Sequence, residues 1–301
     1  MKTTSKTNLI YESTVEKDTS STISAYLKES STLSGRSLRQ YFFKGLVLIN
    51  HKKAHSQAKL KLGDLIQVYA PGTEYQALKP EPMDLDVIYE NNDLLVINKP
   101  PLIAVHPSGS ITSGTLANGI TAYFEKKDLK IKVRPVNRLD YGTSGLIIFA
   151  KSAAVQERLS LAIQKHTVQR IYYAVVQGVP EPNSGTINLP ITGKNGKRIV
   201  ALGGQSSITE YKVIKAFNNA ALLELNLKTG RTHQIRVHLS HIGHPILGDH
   251  QYGTKTPLIN RPALHAGKLI FQKGLELDLS ELAIPLPADM KNLLHNFSSL
   301  H

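Results

Sequence analysis

Beyond residue 82 the chain is dominated by short apolar runs: Val87-Ile88-Tyr89, Leu94-Leu95-Val96-Ile97, Leu146-Ile147-Ile148-Phe149, Tyr172-Tyr173-Ala174-Val175-Val176 and Ala221-Leu222-Leu223-Glu224-Leu225. Their length and their β-branched and aromatic content read as strands. Helical periodicity interrupts them only at 116–124, 153–164 and 232–242. Strands and helices therefore do not alternate as a doubly wound parallel sheet requires. The expected class is α+β, a mixed and mainly antiparallel sheet with helices packed on it, over residues 83–301.

The N-terminal part reads differently. Residues 1–22 are rich in Ser, Thr and Lys with little apolar periodicity, which predicts a flexible tail that buries too little to offset its ordering entropy. Ile23, Tyr26 and Leu27 then fall at helical spacing. A second helix is expected from Ser34, a plausible N-cap, through Leu38, Phe42 and Phe43 to a stop at Gly45. Strands are expected at 46–50 and 64–69, with the basic stretch His51-Lys52-Lys53-Ala54-His55 after the first. This predicts a small α/β domain over 23–70. Residues 71–82 carry three prolines and one glycine and read as a linker.

Lys and Arg total 36 against 23 Asp and Glu, a formal charge of +13. A field of that sign attracts and retains a polyanion. Cysteine is absent, which removes disulfides, thiolate nucleophiles and cysteine-ligated zinc. No run is long and apolar enough for a membrane helix, so a cytoplasmic protein without membrane attachment is expected.

Some segments suggest chemistry. Asp140 precedes Tyr141-Gly142-Thr143-Ser144-Gly145, a tight turn with free backbone donors, and Arg138 stands two residues away. Such an Asp is either a turn cap or a poised carboxylate. Arg231 falls at the start of a predicted helix, where a guanidinium and the helix end together favour an anion; an ordinary surface arginine is the competing reading. Tyr172 and Tyr173 face opposite sides of a strand, so one is core and the other can face a cleft. His233, His238, His241, His244 and His250 cluster in sequence, but no His-Glu-x-x-His arrangement or cysteine completes a ligand set, so no metal site is expected.

In this order, Asp93-Leu-Leu-Val-Ile-Asn-Lys99-Pro-Pro-Leu-Ile-Ala-Val-His106-Pro, Asn137-Arg-Leu-Asp140-x-x-Thr-Ser-Gly145, Arg170-x-Tyr172-x-Ala174, Gly230-Arg-Thr-His-Gln-Ile-Arg-Val-His-Leu239, Pro245-Ile-Leu-Gly-Asp249-x-x-Tyr252-Gly and Arg261-Pro-Ala-Leu-His265-Ala266 resemble the motifs of the RluA family of pseudouridine synthases. The small domain is similar to the S4-type RNA-binding domain at Ser34–Leu38, Gly45-x-Val47-x-Ile49-Asn50 and Leu62-Gly63-Asp64-x-Ile66. The resemblance implies a pseudouridine synthase fold and a cofactor-free isomerase acting on uridine within RNA. Asp140 would be the essential carboxylate, Arg231 its ion-pair partner, and Tyr172 the aromatic that stacks on the target uracil and moves a proton. Arg138 would replace the flipped-out base. RNA contacts are expected from Arg36, Arg39, Lys44, Lys52 and Lys53 in the small domain, and from Arg170, His233 and Gln234 in the large one. The strips from Lys52 to Lys61 and Lys194 to Arg198 are either phosphate contacts or solvated faces. Asn137 stands where the family usually has histidine, Tyr141-Gly142 replace a commoner charged pair, and Arg170 replaces a frequent lysine. A large structured RNA of the 23S ribosomal type suits the appended S4-like domain, with transfer RNA or a non-catalytic RNA-binding role as alternatives. A monomer is expected. A hydrolase acting on nucleosides would need a second acidic group that no motif supplies.

Overall fold

The structure, a computed structural model, describes residues 8–17, 21–31, 33, 35–70, 78–194, 196–253, 255–272, 275 and 279–298. It divides into two compact units, residues 1–76 and 77–301.

The first unit contains β1 (Asn8–Thr14), α1 (Ile23–Ser30), α2 (Gly35–Phe43), β2 (Val47–Ile49), β3 (Lys52–Lys53) and β4 (Leu65–Ala70). Its sheet has the order β1-β4-β2-β3, antiparallel throughout. Ile23 and Leu27 of α1 and Leu38 of α2 pack on Val47, Ile66 and Val68. The Thr22 hydroxyl caps α1 by accepting from Ala25 N at 3.3 Å; Ser34, expected to cap α2, lies outside the described residues. Asn50 and Asp64 lock the β2 and β4 ends: Asn50 Nδ2 donates to Asp64 Oδ1 at 2.8 Å, and Asn50 Oδ1 accepts from Leu65 N at 2.9 Å.

The expectation of a flexible tail over 1–22 is corrected at residues 8–14, which form β1. Leu9 and Ile10 are 46% and 42% exposed, so the strand buries little of its apolar surface. It is held instead by its ladder to β4 and by Gln67 Nε2 donating to Glu12 Oε2 at 2.8 Å. Residues 1–7 and 18–20 lie outside the described residues, as do 71–77 of the expected linker. Residues 78–82 belong to the second unit: Lys79 O accepts from Asn118 Nδ2 at 2.9 Å, and Glu81 Oε2 from Gly114 N at 2.7 Å.

The second unit is built on β5 (Val87–Glu90), β6 (Leu94–Lys99), β7 (Arg134–Pro135), β8 (Ser144–Ala150), β9 (Val168–Gln177), β10 (Ser184–Asn188), β13 (Ile208–Ala216), β14 (Ala220–Leu227), β15 (Leu264–Phe271) and β16 (Glu281–Ala283). The hairpin β11 (Ile191–Lys194) and β12 (Lys197–Val200) stands apart. The sheet order is β10-β13-β14-β9-β15-β8-β6-β5, with β16 beside β15 and β7 beside β8. Helices α3 (Leu116–Lys126), α4 (Ala153–Gln164), α5 (Gln234–His241) and α6 (Ala288–Ser298) complete an α+β fold. Leu95 and Ile97 of β6 share one core with Leu116, Ile120 and Phe124 of α3 and Leu239 of α5. Leu94 and Val96 share another with Val155 and Leu159 of α4. Burial on both faces explains why β6 and β8 are continuous apolar runs rather than alternating ones.

All pairings in this sheet are antiparallel except β15 with β8, where His265 pairs Ser144 and Ala266 pairs Gly145. The parallel pair brings the loops preceding both strands to the same end of the sheet. Gly145 has φ +115°, and a Cβ there would stand 2.2 Å from Ala266 O, so only glycine permits the junction.

Candidate active site

Asp140 lies in the loop between β7 and β8, where Thr143 N donates to its carbonyl at 3.1 Å. Two buried cations hold this loop. Lys99 Nζ donates to Pro100 O and Ile103 O at 2.9 Å and to Tyr141 O at 3.2 Å. Arg261 donates to Gly142 O at 3.3 Å while pairing bidentately with Asp289 at 2.7 and 2.9 Å. Burial, reinforced by the charge of Arg261, pushes Lys99 down to about 7, against the pull of Asp140. Its three carbonyl acceptors match the three hydrogens of the ammonium, so the cage fits the charged form that burial opposes. Asn137 is buried and latches the loop to β8, its Oδ1 accepting from Ile148 N at 2.8 Å and its Nδ2 donating to Leu146 O at 3.4 Å.

The facing wall comes from α5 and the loop before it. His233 has φ +57° and turns the chain into the helix. Gln234 ties this turn to β13: its Oε1 accepts from Thr229 Oγ1 and Arg231 N at 2.7 and 3.0 Å, and its Nε2 donates to Ile208 O and Thr209 Oγ1, both at 3.0 Å. The expectation that Gln234 contacts RNA is corrected on this ground, because its buried amide is filled by protein partners.

The ion-pair assignment also changes. Among the described residues, the guanidinium beside Asp140 is that of Arg236, whose Nη1 stands 3.6 Å from Asp140 Oδ2. Arg231, the expected partner, instead donates Nε to Ser206 O at 3.2 Å. Arg231 precedes the helix and turns toward the 201–206 loop; Arg236 is inside α5, on the face toward Asp140. Arg236 is aimed by Asp249, a fully buried carboxylate that accepts from Nε at 2.6 Å and Nη2 at 2.8 Å. Gln251 N and Tyr252 N also donate to Asp249, at 3.0 and 3.2 Å. Burial pushes the Asp249 carboxyl up, but the Arg236 hydrogen bonds and charge outweigh it and hold the group below the usual carboxylate range. The Arg236 guanidinium also lies 4.9 Å from the centre of the Tyr252 ring.

His233 stands between these groups. Its Nε2 is 3.9 Å from Asp140 Oδ2, and its Nδ1 is 2.8 Å from Tyr252 Oη. Tyr252 Oη in turn accepts from Arg198 N at 3.1 Å. Burial lowers the His233 pKa, opposed by Asp140 and reinforced by Arg236, so the ring is neutral at neutral pH.

Asp140, Arg138, Tyr172, Arg170, His233 and Arg236 line one pocket, which Arg231 also borders. Tyr172 is buried, and burial raises its phenol pKa, so it rests as a neutral phenol. Arg170 is buried with Nη2 3.5 Å from Leu227 O, and its Nε has no hydrogen-bond partner. Arg138 is exposed. Arg39, Lys44, Lys52 and Lys53 are exposed on the first unit; the side chain of Arg36 lies outside the described residues. His238 is buried with both ring nitrogens engaged, by Thr209 Oγ1 at 2.9 Å and Leu189 O at 3.0 Å. Among the described residues no group of His, Asp and Glu is placed to hold a metal.

Sequence reasoning overlooked Arg236, Asp249, Tyr252, Lys99 and Arg261 as individual site residues. All five fall inside the quoted motifs, and a buried Lys, Arg or Asp needs a partner, which is the signal that could have singled them out.

Residues 93–241 match the family model described as RNA pseudouridylate synthase. The chain is 40% identical over 258 residues to the uncharacterized RNA pseudouridine synthase YhcT of Bacillus subtilis, covering 84% of this chain and 85% of that one. It is 36% identical over 267 residues to ribosomal large subunit pseudouridine synthase D of Neisseria meningitidis, covering 83% and 71%. Among solved structures, human RNA pseudouridylate synthase domain containing 4 superposes with a TM-score of 0.59 at 25% identity, covering 70% of this chain and 92% of that one. The chain belongs to the RNA pseudouridine synthase family, of the RluA type, and is an isomerase of that class acting on RNA. No described helix is long and apolar enough to cross a membrane.

Proposed function

We propose that this enzyme converts specific uridines of large-subunit ribosomal RNA to pseudouridine in the cytoplasm, with Asp140 as the essential carboxylate acting on a nucleotide flipped out of its helix. The observation that carries this reading is the placement of Asp140 in a pocket shared with Tyr172, Arg138 and Arg170, beside an Arg236 fixed by a buried carboxylate. The similarity to ribosomal large subunit pseudouridine synthase D favours ribosomal RNA.

The reaction breaks the C1′–N1 bond, turns the uracil while it is held, and joins C1′ to C5. N1 gains a proton and C5 loses one, so no redox partner or transferred group is needed. Asp140 either adds to the nucleotide or removes a ribose proton, and both routes begin from the carboxylate whose Oδ2 stands 3.6 Å from Arg236 Nη1. Flipping costs a few kcal/mol. Stacking on Tyr172, worth about 1–3 kcal/mol per base, and phosphate contacts offset it. Arg138, exposed and bordering the pocket, fills the place the base leaves. The first unit acts as an S4-like RNA-binding domain through Arg36, Arg39, Lys44, Lys52 and Lys53, with the 91% exposed Phe43 available for stacking.

The test uses ribosomal RNA from cells lacking the gene, labelled with tritium at uridine C5. Forming the C5–C1′ bond releases that label to water. Release by the wild-type enzyme, none by Asp140→Asn, and none from transfer RNA is the expected pattern. Release from transfer RNA alone would overturn the ribosomal assignment.

A further inference from the structure

A second concavity of about 250 Å³ adjoins the active-site pocket and shares Arg231 with it. Its walls are the β11–β12 hairpin, the 201–206 loop and the turn leading into α5. The loop is pinned to the hairpin by paired backbone bonds between Ile191 and Gln205, at 2.9 and 2.8 Å. Gly204 allows the approach, since a Cβ there would stand 2.7 Å from Ile191 backbone. The wall is thus built into the fold.

Its chemistry is rich in donors. Arg198 lies across Gly193, its cross-strand partner, with Nη1 only 2.9 Å from where a Cβ would be, so the missing side chain gives the guanidinium its resting place on the rim. The Arg198 backbone N–H is anchored on Tyr252 Oη. Arg231, which also lines the cavity, is oriented by the bond from Nε to Ser206 O. Thr192 and Thr232 add hydroxyls, and no carboxylate lines the cavity. Among the described residues neither arginine is in an ion pair. Two uncompensated guanidinium groups converging on one concavity demand an anion with several acceptor oxygens.

We infer that this cavity is a phosphodiester subsite, in which Arg198 and Arg231 hold the backbone phosphate next to the nucleotide whose base enters the Asp140 pocket. The inference rests on the RNA-modifying reading of that pocket. It assigns Arg231 to positioning the strand, the role left to it once Arg236 is the partner of Asp140. The hairpin thereby reports to the active site, because the strand that carries Arg198 is bonded through Tyr252 to His233.

The test compares wild type, Arg198→Gln, Arg198→Lys and the double variant Arg198→Gln/Arg231→Gln, using the tritiated ribosomal RNA and thermal melting as a fold control. Arg198→Gln is expected to raise KM about tenfold with kcat within about twofold, as loss of uniform binding does. Arg198→Lys should recover most of the loss. The dependence of log(kcat/KM) on log salt should become shallower by about 0.7–0.9 for each phosphate no longer neutralised. An unchanged KM and salt slope in the folded double variant would overturn the inference, and so would a fall in kcat at constant KM. If the wild type releases no tritium, filter binding of the same RNA separates the two readings: a shallower salt slope in the Arg198→Gln/Arg231→Gln variant keeps the subsite, and an identical slope removes it.

Discussion

Replacing Asp249 by Asn keeps the shape of the side chain and removes its charge. The carboxylate is fully buried and receives four hydrogen bonds, two from Arg236 and two from the Gln251 and Tyr252 backbone. An amide offers one oxygen and turns an N–H toward a donor. Breaking one side of a buried ion pair costs about 3–5 kcal/mol. Arg236 keeps Asp140 at 3.6 Å as a second carboxylate, so the lower end, about 3 kcal/mol, is expected. At about 2–4 °C per kcal/mol for a domain of this size, the unfolding temperature should fall by about 6–12 °C. Arg236 then drifts from its aim, and a misplacement on the order of 1 Å costs roughly 100-fold in rate. Circular-dichroism melting and single-turnover tritium release below the melting transition read both effects. KM for RNA should stay near wild type because Asp249 has no access to the substrate. A melt shifted by less than about 2 °C, with kcat within about twofold, would refute the positioning of Arg236 by Asp249.

Other consequences follow from single residues. Gly145→Ala places a Cβ 2.2 Å from Ala266 O at φ +115° and should cost more than about 3 kcal/mol. Gly109→Ala, at φ +58° in open space, should cost only about 1 kcal/mol; equal melting temperatures for the two would contradict the role given to the β8–β15 junction. His265 is buried against Ser144 Oγ, and burial lowers its pKa to about 4. The unfolded chain takes up this proton below about pH 6.5 while the folded chain does not, so stability is lost as pH falls from about 6.5 to 4, by roughly 3 kcal/mol. Denaturant titrations of wild type and His265→Gln across that window should converge toward acid pH; parallel curves would exclude the buried neutral histidine. For Tyr172, the Phe variant should keep KM and the Leu variant raise it about 5–150-fold, from the loss of about 1–3 kcal/mol of stacking. Wild-type KM in a folded Leu variant would argue against the base lying on this ring.

How much of this was legible depends on whether a residue's role is local. The runs at β6 and β8 could be read as strands because both faces are buried, and α5 because Ile235 and Leu239 share its core face. Missing were β13, half-exposed with Glu210, Lys212 and Lys215 along it, and β15, where His265, Gly267 and Lys268 break the apolar run. Gly267 is there because a Cβ would stand 2.6 Å from the Tyr173 ring, a demand made by a strand far away in sequence. The same limit decided the arginines. Arg231 and Arg236 are both basic residues near one helix start, and only the position of Asp249 and the 201–206 loop separates their roles. The turn that holds Asp140 was legible because it is written in consecutive residues, and the role proposed for its carboxylate came from the resemblance of the motifs. Strand β1 was not, because its partner lies in residues 65–70.

Whether Asp140 makes pseudouridine in large-subunit ribosomal RNA is decided by mapping pseudouridine in the RNA of cells with and without the gene, by carbodiimide-blocked primer extension. The deletion is complemented with wild type or Asp140→Ala. One or a few stops in large-subunit ribosomal RNA should vanish on deletion and return only with wild type. An unchanged map would contradict the activity, and stops restored by Asp140→Ala would contradict the role of this carboxylate.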